Sequence, residues 1–173
     1  MTIRVMLNAE TFRRFTIFDF MKRRKAWKSP ATFASIMSIS ACICFIMKHV
    51  EGAVMLGTVL LIVGLGMPAL FLLNFHKSLK SQILANGLTR PQEVYTLDLD
   101  EKSNKIHVKN QTEQAEYPWN KIHHVYRDTL ATYLFITPQR AFILPHTCVE
   151  EPEDLWALIH KKVPQEKTTD LRK

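Results

Sequence analysis

Charge is missing from two stretches of this sequence, and those gaps go far towards fixing its class. No Asp, Glu, Lys or Arg occurs in the 18 residues of 30–47 or the 24 residues of 52–75. A hydrocarbon core about 30 Å thick asks for roughly 20 apolar helical residues, so both runs can cross a bilayer, the first only just. Neither has a polar face, which argues against a buried hairpin in a soluble bundle. The first run starts some 30 residues in and lacks a small-residue cleavage site, so it does not read as a signal peptide. Neither run holds an ionisable group, which disfavours transport along the hairpin. Cysteine is also scarce. Cys42 and Cys44 lie in the first run and Cys148 far downstream, so no disulfide framework is expected and Cys-x-Cys reads as small packing residues.

Metal-ligand spacings are missing too: there is no Cys-x-x-Cys, His-x-x-x-His or Glu-x-x-His. His123 and His124 are adjacent, and adjacent side chains diverge on a strand or a helix, so they do not aim at one ion. His146 and Cys148 form a pair without a third ligand. The serines at 29, 35, 38, 40, 78, 81 and 103 stand in no nucleophile motif. Gly64 and Gly66 make a G-x-G that no strand precedes, so it is not a nucleotide loop. No catalytic residue, metal or cofactor is expected, and the protein does not read as an enzyme.

What the sequence does have is positive charge in particular places. The formal net charge is +7 and the pI about 9.4. Residues 1–29 carry +6, residues 76–90 carry +3, the connection 48–51 is neutral, and 91–173 carries −2. Nucleic-acid binding is therefore not expected, because the bulk of the chain outside the flanks is slightly acidic. The positive-inside rule instead places both termini in the cytoplasm, with the two runs as a tight hairpin across a membrane. Lys22, Arg23, Arg24, Lys25, Trp27, Lys28, Lys77 and Lys80 are the expected interface residues, facing anionic lipid. Their charges serve equally well merely to orient the hairpin. Small residues allow close helix contact in lipid, so Ala34, Ser38 and Cys42 are expected to meet Ala53, Gly57 and Gly64, with Cys42 near Gly57. Pro68 should bend the second helix, which should run on past the lipid as a stalk until Asn86-Gly87 ends it.

Elsewhere the periodicity changes. Ile3, Val5 and Leu7 alternate as in a strand; Asn8 then caps a helix whose Phe12, Phe15, Phe18 and Met21 form an apolar stripe read as an interfacial anchor. A β-hairpin is expected around the turn 101–104, with Leu99 opposite Ile106, Leu97 opposite Val108, Asp98 opposite His107 and Asp100 opposite Lys105. Residues 130–137 and 140–144 should form a second hairpin covered on both faces. A helix opens at Glu151-Pro152, with Leu155, Trp156, Ile159 and Val163 on its apolar side, and the tail from Pro164 reads as loose.

Pro118-Trp119, Ile122 and Val125, the strand pair after them, the Leu144-Pro145 step and the last helix together resemble the YcxB-like family, bacterial two-helix membrane proteins of uncertain role. Trp119, Ile122, Val125 and Pro145 are the structural marks; His146 departs from the basic residue expected after the proline. The resemblance implies a membrane α+β fold. A transmembrane helical hairpin would carry a cytoplasmic pleckstrin-homology-like antiparallel sheet or split barrel with a C-terminal helix. The expected divisions are 1–29, an N-terminal strand and basic interfacial segment; 30–87, hairpin and stalk; 88–163, the β domain; and 164–173, the tail. A further expectation is that the N-terminal strand joins the sheet of 92–145, making the hairpin an insertion. The expected function is a non-catalytic, membrane-anchored binding or scaffolding module with a protein partner. An inner-leaflet lipid-binding accessory and a membrane immunity protein against a toxin are the alternatives. The neutral turn 101–104 argues against headgroup binding in the manner of phosphoinositide-binding pleckstrin domains.

Overall fold

The computed structural model describes residues 1–99, 104–110 and 114–172. The expected Asp100–Lys105 pair and most of the turn 101–104 lie outside them. The described elements run β1 (Thr2–Leu7), α1 (Ala9–Phe18), α2 (Lys28–Ile46), α3 (Ala53–Ala85), β2 (Gln92–Leu99), β3 (Lys105–Asn110), β4 (Gln114–Pro118), β5 (His124–Arg127), β6 (Ala131–Thr137), β7 (Arg140–Pro145), α4 (Pro152–Lys162) and β8 (Thr168–Asp170). They fall into two compact units, one of Met1–Phe15 with Asn86–Lys173 and one of Thr16–Ala85.

The first unit holds two four-stranded sheets, ordered β1-β2-β3-β4 and β7-β6-β5-β8. In β1 the alternation expected of the sequence is seen in burial: Ile3, Val5 and Leu7 are inside, and their neighbours are exposed. β1 pairs antiparallel with β2, Thr2 opposite Asp98 through Leu7 opposite Gln92, with a bulge at Val5/Met6. The Met1 amine donates to the Leu99 carbonyl at 3.0 Å, and the Leu99 amide to the Met1 carbonyl at 2.8 Å. The first strand thus belongs to a sheet whose other strands begin after the second long helix. The N-terminal strand joins the sheet of the later strands, as expected, with β2 as its ladder partner.

β2 and β3 pair in the expected register: Leu99 faces Ile106, Leu97 faces Val108 and Asp98 faces His107. A slip by one would turn the buried leucines outward. In the second sheet β6 is buried at five consecutive residues, Ala131 to Phe135, as a strand covered on both faces requires. The core is filled by Trp119, Tyr133, Phe135 and Leu134 with Leu155 and Ile159 from α4, each large apolar side chain contributing about 1.5–3 kcal/mol. The Tyr95 hydroxyl on β2 clips the two sheets together: it donates to the Ile143 carbonyl at 2.8 Å and accepts from the Ile143 amide at 2.7 Å. Burial, first of all, pushes its pKa far up.

The tail is not loose. Residues 168–170 form β8 and extend the second sheet as a parallel partner of β5, Val125 opposite Thr168 and Arg127 opposite Asp170. The Leu171 amide reaches the Arg127 carbonyl at 2.8 Å and the Lys167 amine the Ile122 carbonyl at 3.0 Å. Polar composition read as disorder, yet Thr suits a strand, and the free edge of β5 supplies the pairing.

In the second unit α2 and α3 are joined by a turn in which Gly52 takes φ +82°. α3 runs 33 residues through Pro68, about 50 Å at 1.5 Å per residue. It stops at the expected place: Gly87, at φ +66°, comes just after its end, a conformation that favours glycine.

Candidate functional site

Two helices are long and apolar enough to cross a membrane, Lys28–Ile46 and Ala53–Ala85. Their apolar side chains point outward rather than into a core: Ile46 is 78% exposed and Met55 75%. Contact between them is made through α3's glycines. A Cβ added to Gly57 would lie 3.1 Å from the Cys44 Cβ and 3.2 Å from the Ala41 carbonyl oxygen, and one added to Gly64 would lie 2.6 Å from the Met37 Cβ. On α2 the facing residues are therefore Met37, Ala41 and Cys44. Ala34 and Ser38 are half-buried and Cys42 is exposed, so Cys42 does not face Gly57. Gly57 and Gly64 do make the contact as the small-residue rule expects, but having no side chain they receive a residue as large as Met37, so small size alone did not pick out their partners on α2. Ala53 is half-buried at the start of α3.

The basic segment before α2 is a π-helical turn, Asp19–Arg23, continuing α1. Phe20 on it stacks on Phe75 at 4.3 Å and on Phe71 at 5.7 Å, both from α3. Asp19 takes two of the expected interface cations: Arg23 bonds it within the turn, and Arg24 bonds it at 2.6 Å. Lys22, Lys25 and Lys28 are exposed and have no acidic partner among the described residues. Lys25 holds φ +50°, in the left-handed region that non-glycine residues seldom enter. Trp27 is 47% exposed; Lys77 and Lys80 are exposed on α3. The apolar stripe of α1 divides: Phe15 stacks on Tyr133 at 5.2 Å and Phe135 at 6.0 Å. At that position the stripe covers the second sheet, correcting its reading as an anchor along its whole length.

In the β unit the four motif residues are core. Trp119 opens the 3-10 turn Trp119–Lys121 that carries the chain from β4 to β5, and its amide reaches the Asn104 carbonyl at 3.2 Å. Ile122 and Val125 are buried, as is Pro145, which ends β7 opposite Ala131. His123 is exposed, whereas His124 sits 2.9 Å from the Thr169 hydroxyl and stacks on Tyr126 at 4.4 Å. Burial, then the neighbouring His123, lowers the His124 pKa. His107 lies 3.2 Å from Glu116, which Lys105 also holds at 2.7 Å. His146 contacts the Thr132 hydroxyl and the Thr129 carbonyl, both at 3.1 Å, and burial lowers its pKa. These three histidines thus have local structural partners, and no cluster of three or more His, Cys, Asp or Glu fit for a metal lies among the described residues.

One polar cluster escaped the sequence reading. Arg127 on β5 is 1% exposed; both terminal nitrogens donate to Glu153 in the first turn of α4, and its guanidinium lies 5.4 Å from the Trp156 ring centre. Arg172 bonds Glu153 at 3.1 Å and Asp170 at 2.9 Å. These hydrogen bonds, first those from Arg127 to Glu153 and from Arg172 to Asp170, hold both carboxyls at about 2. The signal was there: Val125 and Arg127 are two apart on one strand and so share the inward face. A cleft of about 290 Å³ opens between Asn8 and Arg14 on one side and Tyr133 and Thr147 on the other, but Arg14 is already paired with Glu10 at 2.9 Å.

Residues 102–160 match the family model described as YcxB-like protein. The match runs from just before β3 into α4, leaving β1 and both long helices outside it. No curated protein and no solved structure matches the chain.

Proposed function

From the premise that residues 102–160 form a YcxB-like domain, we propose that this protein is a non-catalytic binding module fixed to a bacterial inner membrane. α2 and α3 cross the bilayer as a hairpin, and both termini, with the β unit, lie in the cytoplasm. The β unit takes a pleckstrin-homology-like form: β2–β4 complete one four-stranded sheet with β1, β5–β7 follow in a second, and α4 comes after them, before the short strand β8. The module recruits or regulates a protein partner through its outer surface. One observation carries this reading: the hairpin is inserted between two hydrogen-bonded strands, β1 and β2. A domain with such an insertion is joined to its anchor by two chain crossings, whereas one hung from a terminal linker has a single crossing.

The test uses single cysteines in a chain whose Cys42, Cys44 and Cys148 are replaced by serine. A membrane-impermeant maleimide should label Val50→Cys in spheroplasts with an intact membrane, and Gln139→Cys only after permeabilisation. Photo-crosslinkers at exposed positions 123, 139 and 150 should then give a discrete adduct with one protein from at least one position. Labelling of position 139 from outside overturns the topology; diffuse crosslinking alike from every position overturns the binding module.

A further inference from the structure

The close contact that Gly57 and Gly64 allow does not extend along the whole hairpin. Beyond it, towards the basic end, an apolar groove of about 530 Å³ opens between Ala26, Pro30 and Phe33 on one side and Met67, Pro68 and Phe71 on the other. Its making can be read from the residues. Pro68 carries no N–H for the Gly64 carbonyl, so the helix lacks one rung there. Pro30, in the first turn of α2, and Ala26 before it offer little bulk. Phe71, drawn against Phe20 at 5.7 Å, forms part of the wall. Ser29 adds a single hydroxyl to this lining.

Charge at this end of the hairpin is one-sided. Residues 16–33 contain five Lys or Arg and a single acid, Asp19, which Arg23 and Arg24 occupy. Lys25 and Lys28 directly precede the groove residues Ala26 and Ser29, and neither has an acidic partner among the described residues. An apolar slot beside unneutralised cations calls for a ligand with a hydrocarbon chain and an anionic head. Resting on the reading of α2 and α3 as membrane-spanning, we infer that the groove seats one acyl chain of an anionic phospholipid, with Lys25 and Lys28 receiving its phosphate. The bulk bilayer supplies chains of every kind; the two lysines make the site choose by head charge.

The full chain, purified in mild detergent and stripped of lipid, is given dioleoyl phosphatidylglycerol or dioleoyl phosphatidylcholine and examined by native mass spectrometry. One phosphatidylglycerol should be retained, roughly tenfold tighter than phosphatidylcholine, since each cation near an anionic head adds on the order of a factor of several. The exposed double variant Lys25→Gln/Lys28→Gln should bind both lipids alike, and Ala26→Phe, which fills the slot, should lose both. Equal affinity of the original chain for the two lipids, or an undiminished preference in the double variant, overturns the inference. Should Ala26→Phe lose its helical circular dichroism, the double variant alone decides. Resistance to carbonate extraction from native membranes separates the cases: a chain that stays in the membrane yet shows no lipid preference fails the groove but not the anchor.

Discussion

Arg127 and Glu153 make an unequal pair, since the arginine is 1% exposed while the Glu153 side chain is 72% exposed. Removing the glutamate strands a buried cation, whereas removing the arginine returns a carboxylate to water. Glu153→Gln should therefore lower the urea midpoint more than Arg127→Met, a ranking that reverses if the pair were a surface ornament. The carboxyls of Glu153 and Asp170, at about 2 when folded, have ordinary values near 4 when unfolded. A depressed folded pKa means this stabilisation is complete above about pH 4.5 and is lost as pH falls towards 2. Urea midpoints from pH 6 to 2.5 should fall accordingly, and less steeply in Glu153→Gln. Tyr95→Phe deletes both hydrogen bonds to Ile143 and should destabilise by about 1–3 kcal/mol, read by chemical denaturation. A loss below about 0.3 kcal/mol would mean that the hydroxyl does not join the sheets.

Elements divide sharply in how far the sequence announced them. α2, α3, β6, β7 and α4 were legible because length, period or a proline-and-acid start leaves few alternatives. The β2–β3 register was legible because a slip would bury charge. The helix contact was legible on α3, where Gly57 and Gly64 meet α2, but not on α2, where the partners of the glycines are Met37, Ala41 and Cys44 rather than Cys42. Gly64→Ala should accordingly disturb the hairpin, since its Cβ would meet the stem of Met37 at 2.6 Å, while Gly66→Ala should not, having open space. Thermal unfolding in detergent checks the contrast, and equal melting temperatures would refute the contact. β8 was also hidden, because three polar residues at a terminus carry no period; a strand that short exists only by virtue of the edge it joins. Ending the chain at Pro164 should speed hydrogen exchange at Val125–Arg127 while leaving β2 and β3 protected.

For the whole molecule, the inserted hairpin is a separable part. Replacing Thr16–Ala85 with a flexible linker of roughly a dozen residues should give a water-soluble β protein, with β1 still protected by β2 in hydrogen exchange. The Asn8 side chain accepts from the Thr11 amide at 2.8 Å, so α1 keeps its start in such a chain. Aggregation of the shortened protein would mean that the second unit supplies part of the β unit's core. The insertion also fixes a sequence of events during synthesis. β1 leaves the ribosome first, but its partner emerges only after residues 8–91, a stretch of 84. At roughly 5–20 residues per second that is a wait of about 4–17 s, spent as an unmatched strand. A chain whose greasy loop fails to enter the bilayer would thus keep its opening strand estranged from its mate. The cell's proteases could recognise that orphan, so the β unit would report, by folding or failing to fold, whether the two long helices had been threaded.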